Sequence, residues 1–253
     1  MPIRPGIEVA SLSDLGCQRE NNEDSFSYWE PANDAEFTQK GRLAVVADGM
    51  GGHEGGQEAS RIAVEVIQDT YAETAGTDPQ VLLTAGFHEA HKRIQSYAAA
   101  HPQLRGMGTT ATAAVVVANG LYYAHVGDSR LYRINNKDEI TRLTHDHSYV
   151  GRLVESGVLT PEEAEAHPQR NILTAALGAG AEIVVEAPET PVPLKTGDII
   201  VLCTDGLWGQ VTDLELQRAV LQNPPVTACR ALVNLARERG GPDNITVQVL
   251  RVE

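Results

Sequence analysis

Apolar residues recur along this chain with two periods. Residues 7–13, 24–29 and 42–47 gather β-branched, aromatic and small apolar residues in runs of strand length, and they predict strands. Residues 57–71 switch to helical spacing, with Ala59, Ile62, Ala63, Val66 and Ile67 on one stripe, and residues 79–100 give a second helix-like stretch. A meander follows. Residues 109–118 are rich in Thr and Val, Asn119-Gly120 supplies a hairpin turn, residues 121–126 return, and residues 131–134 continue. After Asp198 the pattern repeats in reduced form: a strand at 199–203, helices at 213–222 and 226–238, and a last strand at 245–251. Runs of strands broken by helix pairs predict an α+β fold in layers, not a doubly wound parallel sheet.

Length and composition narrow the picture. At 253 residues the chain stands at the upper edge of one compact domain. The most polar stretch, 30–41, and the Pro-rich stretch, 188–193, are too short and mixed to act as linkers, so a single domain over residues 1–253 is expected. With 34 acidic against 20 basic residues, the net charge of −14 repels polyanions and disfavours a nucleic-acid partner. The amino terminus has no charged segment followed by an apolar run, and no stretch approaches the ~18 apolar residues of a membrane span, so a soluble cytoplasmic protein is expected. Cys17, Cys203 and Cys229 are odd in number and form no CxxC pair, which argues against a disulfide framework and a thiolate zinc site. Cys203 ends an apolar run and reads as a small buried hydrophobe.

Candidate chemistry lies in four short acidic motifs: Glu23-Asp24, Asp48-Gly49, Asp205-Gly206 and Asp243-Asn244. Each falls where an apolar run meets glycine-rich or polar sequence. Singly, each reads as a turn. Together they read as a site for a hard divalent cation, because carboxylates gathered from strand ends and turns offer the oxygen ligands that Mg²⁺ and Mn²⁺ take.

The surrounding residues point further. Arg19-Glu20-Asn21-Asn22-Glu23-Asp24, Asp48-Gly49-Met50-Gly51-Gly52-His53, Gly108-Thr109-Thr110, Gly127-Asp128-Ser129-Arg130, Thr204-Asp205-Gly206 and Gly241-Pro242-Asp243-Asn244 follow the order and rough spacing of the protein phosphatase 2C family. The chain resembles that family from about residue 8 to 252, and most closely its compact bacterial branch. The resemblance implies an α-β-β-α sandwich of two antiparallel sheets covered by helix pairs. It implies a monomeric Mg²⁺- or Mn²⁺-dependent phosphatase that hydrolyses phosphoserine and phosphothreonine in proteins, opposes a Ser/Thr kinase, and attacks phosphorus with a hydroxide shared by two metals. In that reading Asp48 bridges the ions, Asp205 and Asp243 complete one site, and Glu23 and the backbone carbonyl of Gly49 serve the other, with Asp24 bound through water.

Further roles carry alternatives. Asp128 caps a turn or, with Asp205, holds a third and weaker ion. Arg19 clamps the substrate phosphate with its planar fork, or pairs with Glu20 at the surface. Arg130 braces neighbouring carboxylates. Well-studied eukaryotic relatives have a histidine directly after the Asp-Gly pair, where this chain has Met50. His53, His147, His167 or a metal-bound water then stand as donors to the leaving group, and His53 equally suits a loop-stabilising role. Glycine at 49 and 206 is expected to permit close backbone approach and unusual dihedrals. Residues 145–169 form a polar insertion in which Thr160, Pro161 and Glu163 start a helix. It is a mobile flap beside the site, a surface helical hairpin, or both. Two other functions share these motifs: a non-catalytic scaffold of the same fold, and a phosphomonoesterase for small molecules. The intact carboxylates argue against the first, and the lack of a Gly-x-x-x-x-Gly-Lys-Ser/Thr loop weakens a nucleotide substrate.

Overall fold

The computed structural model describes residues 6–52 and 54–253. In chain order its elements are β1 (Ile7–Asp14), β2 (Asp24–Trp29), α1 (Asp34–Lys40), β3 (Arg42–Met50), α2 (Glu54–Glu73), α3 (Pro79–Ala100), β4 (Gly108–Thr109), β5 (Ala111–Val117), β6 (Gly120–Val126), β7 (Arg130–Ile134) and β8 (Ile140–Arg142). Then come α4 (Tyr149–Glu155), α5 (Pro161–Glu165), β9 (Val192–Pro193), β10 (Ile199–Cys203), α6 (Asp205–Trp208), α7 (Asp213–Gln222), α8 (Pro225–Glu238) and β11 (Ile245–Val252). One sheet runs β1-β11-β10-β7-β8, the other β2-β3-β5-β6-β9 with β4 paired to β3. The described pairings are antiparallel.

Strand alternation sorts the core into three clusters. From β3, Leu43, Val45 and Ala47 pack with Ile62, Ile67, Leu83 and Phe87 of α2 and α3. The intervening Ala44 and Val46 point the other way and meet Ile200, Leu202 and Leu250 of the second sheet. From β10, Ile199, Val201 and Cys203 pack with Leu216, Val220, Leu232 and Val233 of α7 and α8. Helix pair, sheet, sheet and helix pair thus follow one another. Each fully buried Leu, Ile or Val contributes about 1.5–3 kcal/mol to that stack. Because both faces of β3 and β10 are covered, those strands read in the sequence as continuous apolar runs rather than alternating ones.

Three local expectations change. The polar stretch 30–41 contains helix α1, which periodicity did not reveal. Asn33 caps it by accepting the Glu36 N–H at 2.8 Å, and Lys40 in its last turn donates from Nζ to the Tyr71 and Thr74 carbonyls at the end of α2, 3.2 Å each. The predicted strand 109–118 breaks at Thr110 into β4 and β5. The hairpin turn is Ala118-Asn119, one residue earlier than expected: Gly120 stays in the ladder opposite Val117, while the Asn119 carbonyl accepts the Leu194 N–H at 2.8 Å.

Candidate metal centre

The antiparallel pairings bring the sequence motifs to one end of both sheets. Asp48 lies near the end of β3, and Asp24 opens β2 directly opposite it in register. Asp205 opens α6 just after β10, Asp243 precedes β11, and Asp128 lies between β6 and β7. Backbone bonds stitch these loops together. The Glu23 carbonyl accepts from the Gly49 N–H at 3.1 Å and the Ser60 hydroxyl at 2.6 Å, while the Glu23 N–H donates to Asn244 Oδ1 at 2.8 Å. Asn244 also donates from Nδ2 to the Leu15 and Asn21 carbonyls, at 2.9 and 3.0 Å, and from its backbone to Asp243 Oδ1 at 2.8 Å. One asparagine thus ties the segment leading into Glu23 to the segment that carries Asp243.

Glycine is required here by packing. A Cβ on Gly49 would overlap the Gly56 carbonyl, one on Gly56 would overlap the Glu23 carboxylate, and one on Gly206 would overlap the Asn244 carbonyl. Gly49 and Gly206 do not adopt positive φ, so the close approach expected from the sequence holds and the unusual dihedrals do not.

Asp24 is buried, and its Oδ2 accepts hydroxyl bonds from Thr204 at 2.9 Å and Thr246 at 2.6 Å. Its Oδ1 and the Oδ1 of Asp205 are buried without a hydrogen-bond donor. Burial, then the charges of Asp205 and Asp243, push the Asp24 carboxyl up to about 7 despite the two hydroxyls. Burial and Asp243 push Asp205 up to about 6. Asp48 and Asp128 are raised well above the ordinary carboxylate range, each by burial first and then by the neighbouring aspartates. Carboxylates this close cannot all ionise near neutral pH without compensating positive charge. An all-oxygen donor set, with two buried oxygens lacking a donor, fits hard divalent cations.

Two flanking groups complete the arrangement. Arg19 is half-exposed at the mouth, and its Nη2 donates to Asp243 Oδ2 at 2.6 Å, so its partner is Asp243 rather than Glu20. Arg130 grips Asp146 with Nε and Nη2, at 3.0 and 2.7 Å, and its guanidinium lies 3.6 Å over the Trp208 ring, so the carboxylate that it braces is Asp146 rather than one of the site aspartates. Trp208 Nε1 in turn donates to the Asp128 carbonyl at 2.9 Å.

A family model described as protein phosphatase 2C matches residues 18–238. The chain belongs to the protein phosphatase 2C family. It is 38% identical over 97% of its length to the serine/threonine protein phosphatase PstP of Mycobacterium tuberculosis, and spans 45% of that protein. It is 36% identical to the protein phosphatase PhpP of Streptococcus pneumoniae, covering 96% of this chain and 97% of PhpP. The solved structure of the catalytic domain of PstP in complex with two manganese ions superposes with a TM-score of 0.82 at 34% identity, over 98% of both chains.

Of the histidines that the 2C resemblance put forward, His53 lies outside the described residues. His167 stacks obliquely with Tyr149, ring centroids 6.2 Å apart, and its Nδ1 accepts the Gln169 N–H at 3.1 Å. His147 is engaged with Gly127 below the carboxylates. Sequence reasoning gave no role to Asn244, Thr204, Thr246 or Trp208. Asn244 and Thr204 stand inside the quoted motifs, and that position was the available signal; Thr246 and Trp208 carry none, because only sheet packing brings them to the site. Residues 145–169 hold α4 and α5, with the Thr160–Glu163 capping box in place, so the helical hairpin is present.

Proposed function

We propose that this chain is a divalent-metal-dependent protein serine/threonine phosphatase. The reading rests above all on one observation: Glu23-Asp24, Asp48, Asp128, Asp205 and Asp243, from five places in the sequence, converge at one end of two packed sheets, with the Oδ1 atoms of Asp24 and Asp205 buried without a donor. The names of the relatives and the manganese-bound structure support it. When bound, paired Mg²⁺ or Mn²⁺ supply charge neutralisation and an acidified water close to the phosphorus. Asp48 would be the carboxylate common to both ions, Asp205 and Asp243 the ligands on one side, Glu23 and the Gly49 carbonyl those on the other, with Asp24 acting through water and Asp128 serving a third ion. Arg19 would exchange Asp243 for the non-bridging phosphoryl oxygens, a planar fork on a planar pair of acceptors. The leaving serine or threonine oxygen needs a proton, and His53 is one of the donors put forward by the sequence, beside His147, His167 and a metal-bound water.

The substrates would be phosphoproteins, including a Ser/Thr kinase and its targets, handled by a single catalytic domain acting as a monomer. The cytoplasmic location expected from the sequence is part of this proposal; no helix among the described residues is long and apolar enough to cross a membrane. The test is phosphate release from phosphothreonine peptides and from nucleotides, in Mn²⁺ and in chelator. Metal-dependent release from the peptides is expected. Release from nucleotides alone would make the protein a small-molecule phosphatase, and no release from either would leave a scaffold.

A further inference from the structure

Beneath the carboxylates, three imidazoles and one carboxylate meet. His125 lies on β6, His145 and His147 follow β8, and Glu186 lies before β9. One ligand atom each from His125, His147 and Glu186 falls within 4.8 Å of the others, and these residue types would suit a transition metal. Their nitrogens are already committed. His125 Nε2 lies 2.9 Å from the Gly127 carbonyl and 3.1 Å from the His145 carbonyl, so it carries a proton directed at them, while Nδ1 is 2.8 Å from the Thr112 hydroxyl. His147 Nδ1 accepts the Gly127 N–H at 3.2 Å, which puts the ring proton on Nε2, 3.6 Å from Glu186 Oε2. Glu186 also accepts from the His145 backbone and faces its Nδ1, each at 3.0 Å. A metal would have to break this set of bonds.

The set closes on one residue. His147 holds both backbone groups of Gly127: its ring accepts the Gly127 N–H, and its own N–H donates to the Gly127 carbonyl at 2.7 Å. Gly127 has φ of 113°, which side chains rarely adopt, and a Cβ there would collide with the Thr110 side chain. The next residue is Asp128. The Trp208 bond to the Asp128 carbonyl fixes the far side of that residue, so its backbone is held from both directions. His147 also roots the helical hairpin, because its carbonyl accepts the Thr174 N–H at 2.8 Å.

We propose that His147, steadied by Glu186, is a positioning residue that sets the Asp128 carboxylate for a divalent ion. The proposal rests on the phosphatase reading for its kinetic consequence and on the metal-centre geometry for its binding consequence. A side chain that orients a ligand from behind changes metal affinity roughly 10- to 100-fold when it is lost.

The experiment compares wild type with His147→Ala, His147→Asn and Glu186→Gln. It uses calorimetric Mn²⁺ titration, the Mn²⁺ concentration for half-maximal hydrolysis of an aryl phosphate, and thermal unfolding. His147→Ala is expected to keep the tight Mn²⁺ sites and to weaken the weakest one by about tenfold or more, with a parallel rise in the Mn²⁺ required for turnover. His147→Asn, whose amide oxygen can accept the Gly127 N–H, is expected to restore most of the loss. Glu186→Gln is expected to shift in the same direction by less. A folded His147→Ala with unchanged Mn²⁺ titration overturns the proposal, and so does an asparagine variant as impaired as alanine. Should the alanine variant fail to fold, wild-type Mn²⁺ binding in both other variants overturns it. If wild type binds Mn²⁺ but hydrolyses nothing, the phosphatase reading fails while the titrations still decide the role of His147.

Discussion

Asp24 and Asp48 stand opposite each other across the β2–β3 ladder, so two carboxylates that the sequence separates share one end of a single strand pair. Both are pushed up by burial and by surrounding aspartates, and Asp24 Oδ1 has no donor. Buried and clustered carboxylates of this kind are what a divalent cation would neutralise.

Asp48→Asn keeps the shape of the side chain and removes a charge. We expect phosphopeptide turnover to fall by at least about a thousandfold while the circular dichroism spectrum is unchanged, because the carboxylate proposed to be shared by both ions is lost. Near-normal turnover in saturating Mn²⁺ would exclude Asp48 from that role.

Arg19 donates to Asp243 from the mouth of the site with half of its side chain in solvent. Such an exposed pair adds little stability. Arg19→Ala should leave the unfolding temperature within a degree or two of wild type, yet lower kcat/KM for phosphopeptides by about 10- to 100-fold, the value of one charge-assisted contact. An unchanged kcat/KM would reduce Arg19 to a surface partner of Asp243.

Stability without metal should fall as pH rises. A carboxyl whose pKa is higher folded than unfolded binds more protons when folded, so its contribution is complete below about pH 4 and is lost as pH climbs through the folded value. With Asp205 raised to about 6 and Asp24 to about 7, that loss falls between about pH 4 and pH 7, and Asp48 and Asp128, raised as well, act in the same direction. In chelator the unfolding temperature should drop across this range. In saturating Mn²⁺ the slope should reverse, since ions and protons compete for the same oxygens. A flat or rising profile in chelator would contradict the clustering.

The α4–α5 hairpin buries little: among its apolar residues Val150 and Ala164 are covered, while Val158 is 64% exposed. Amide exchange from about residue 148 to 167 should be much faster than in β10, which is buried throughout. Glycine substitutions in the hairpin should change discrimination among phosphoproteins more than hydrolysis of an aryl phosphate. Protection equal to that of Ile199–Cys203, or equal losses on both substrates, would make the segment purely structural.

What was legible in the sequence follows from local physics. Helix α2 announces itself by a one-sided apolar stripe, α3, α7 and α8 by helix-like stretches, β10 by its continuous apolar run, and the Thr160 cap by the spacing to Glu163. The aspartates were legible because the order of six short motifs is that of a known family, and Asp48-Gly49 alone would have passed for a turn. Helix α1 was hidden because its stability comes from Asn33 and from Lys40 reaching the end of α2, neither of which leaves a periodic trace. The need for glycine at 49 and close approach as its reason were legible, but the partner was not: the Gly56 carbonyl that excludes a Cβ comes from another element. Likewise nothing in the spacing of Asn244, Thr204, Thr246 and Trp208 says that they orient Glu23, Asp24 and Asp128. Those contacts exist only after two antiparallel sheets bring strand ends from opposite halves of the chain together. The sequence by itself put forward the carboxylates and the long helices; the tertiary structure decided which side chains hold them, because hydrogen bonds between distant residues depend on register and layer order that no local pattern encodes.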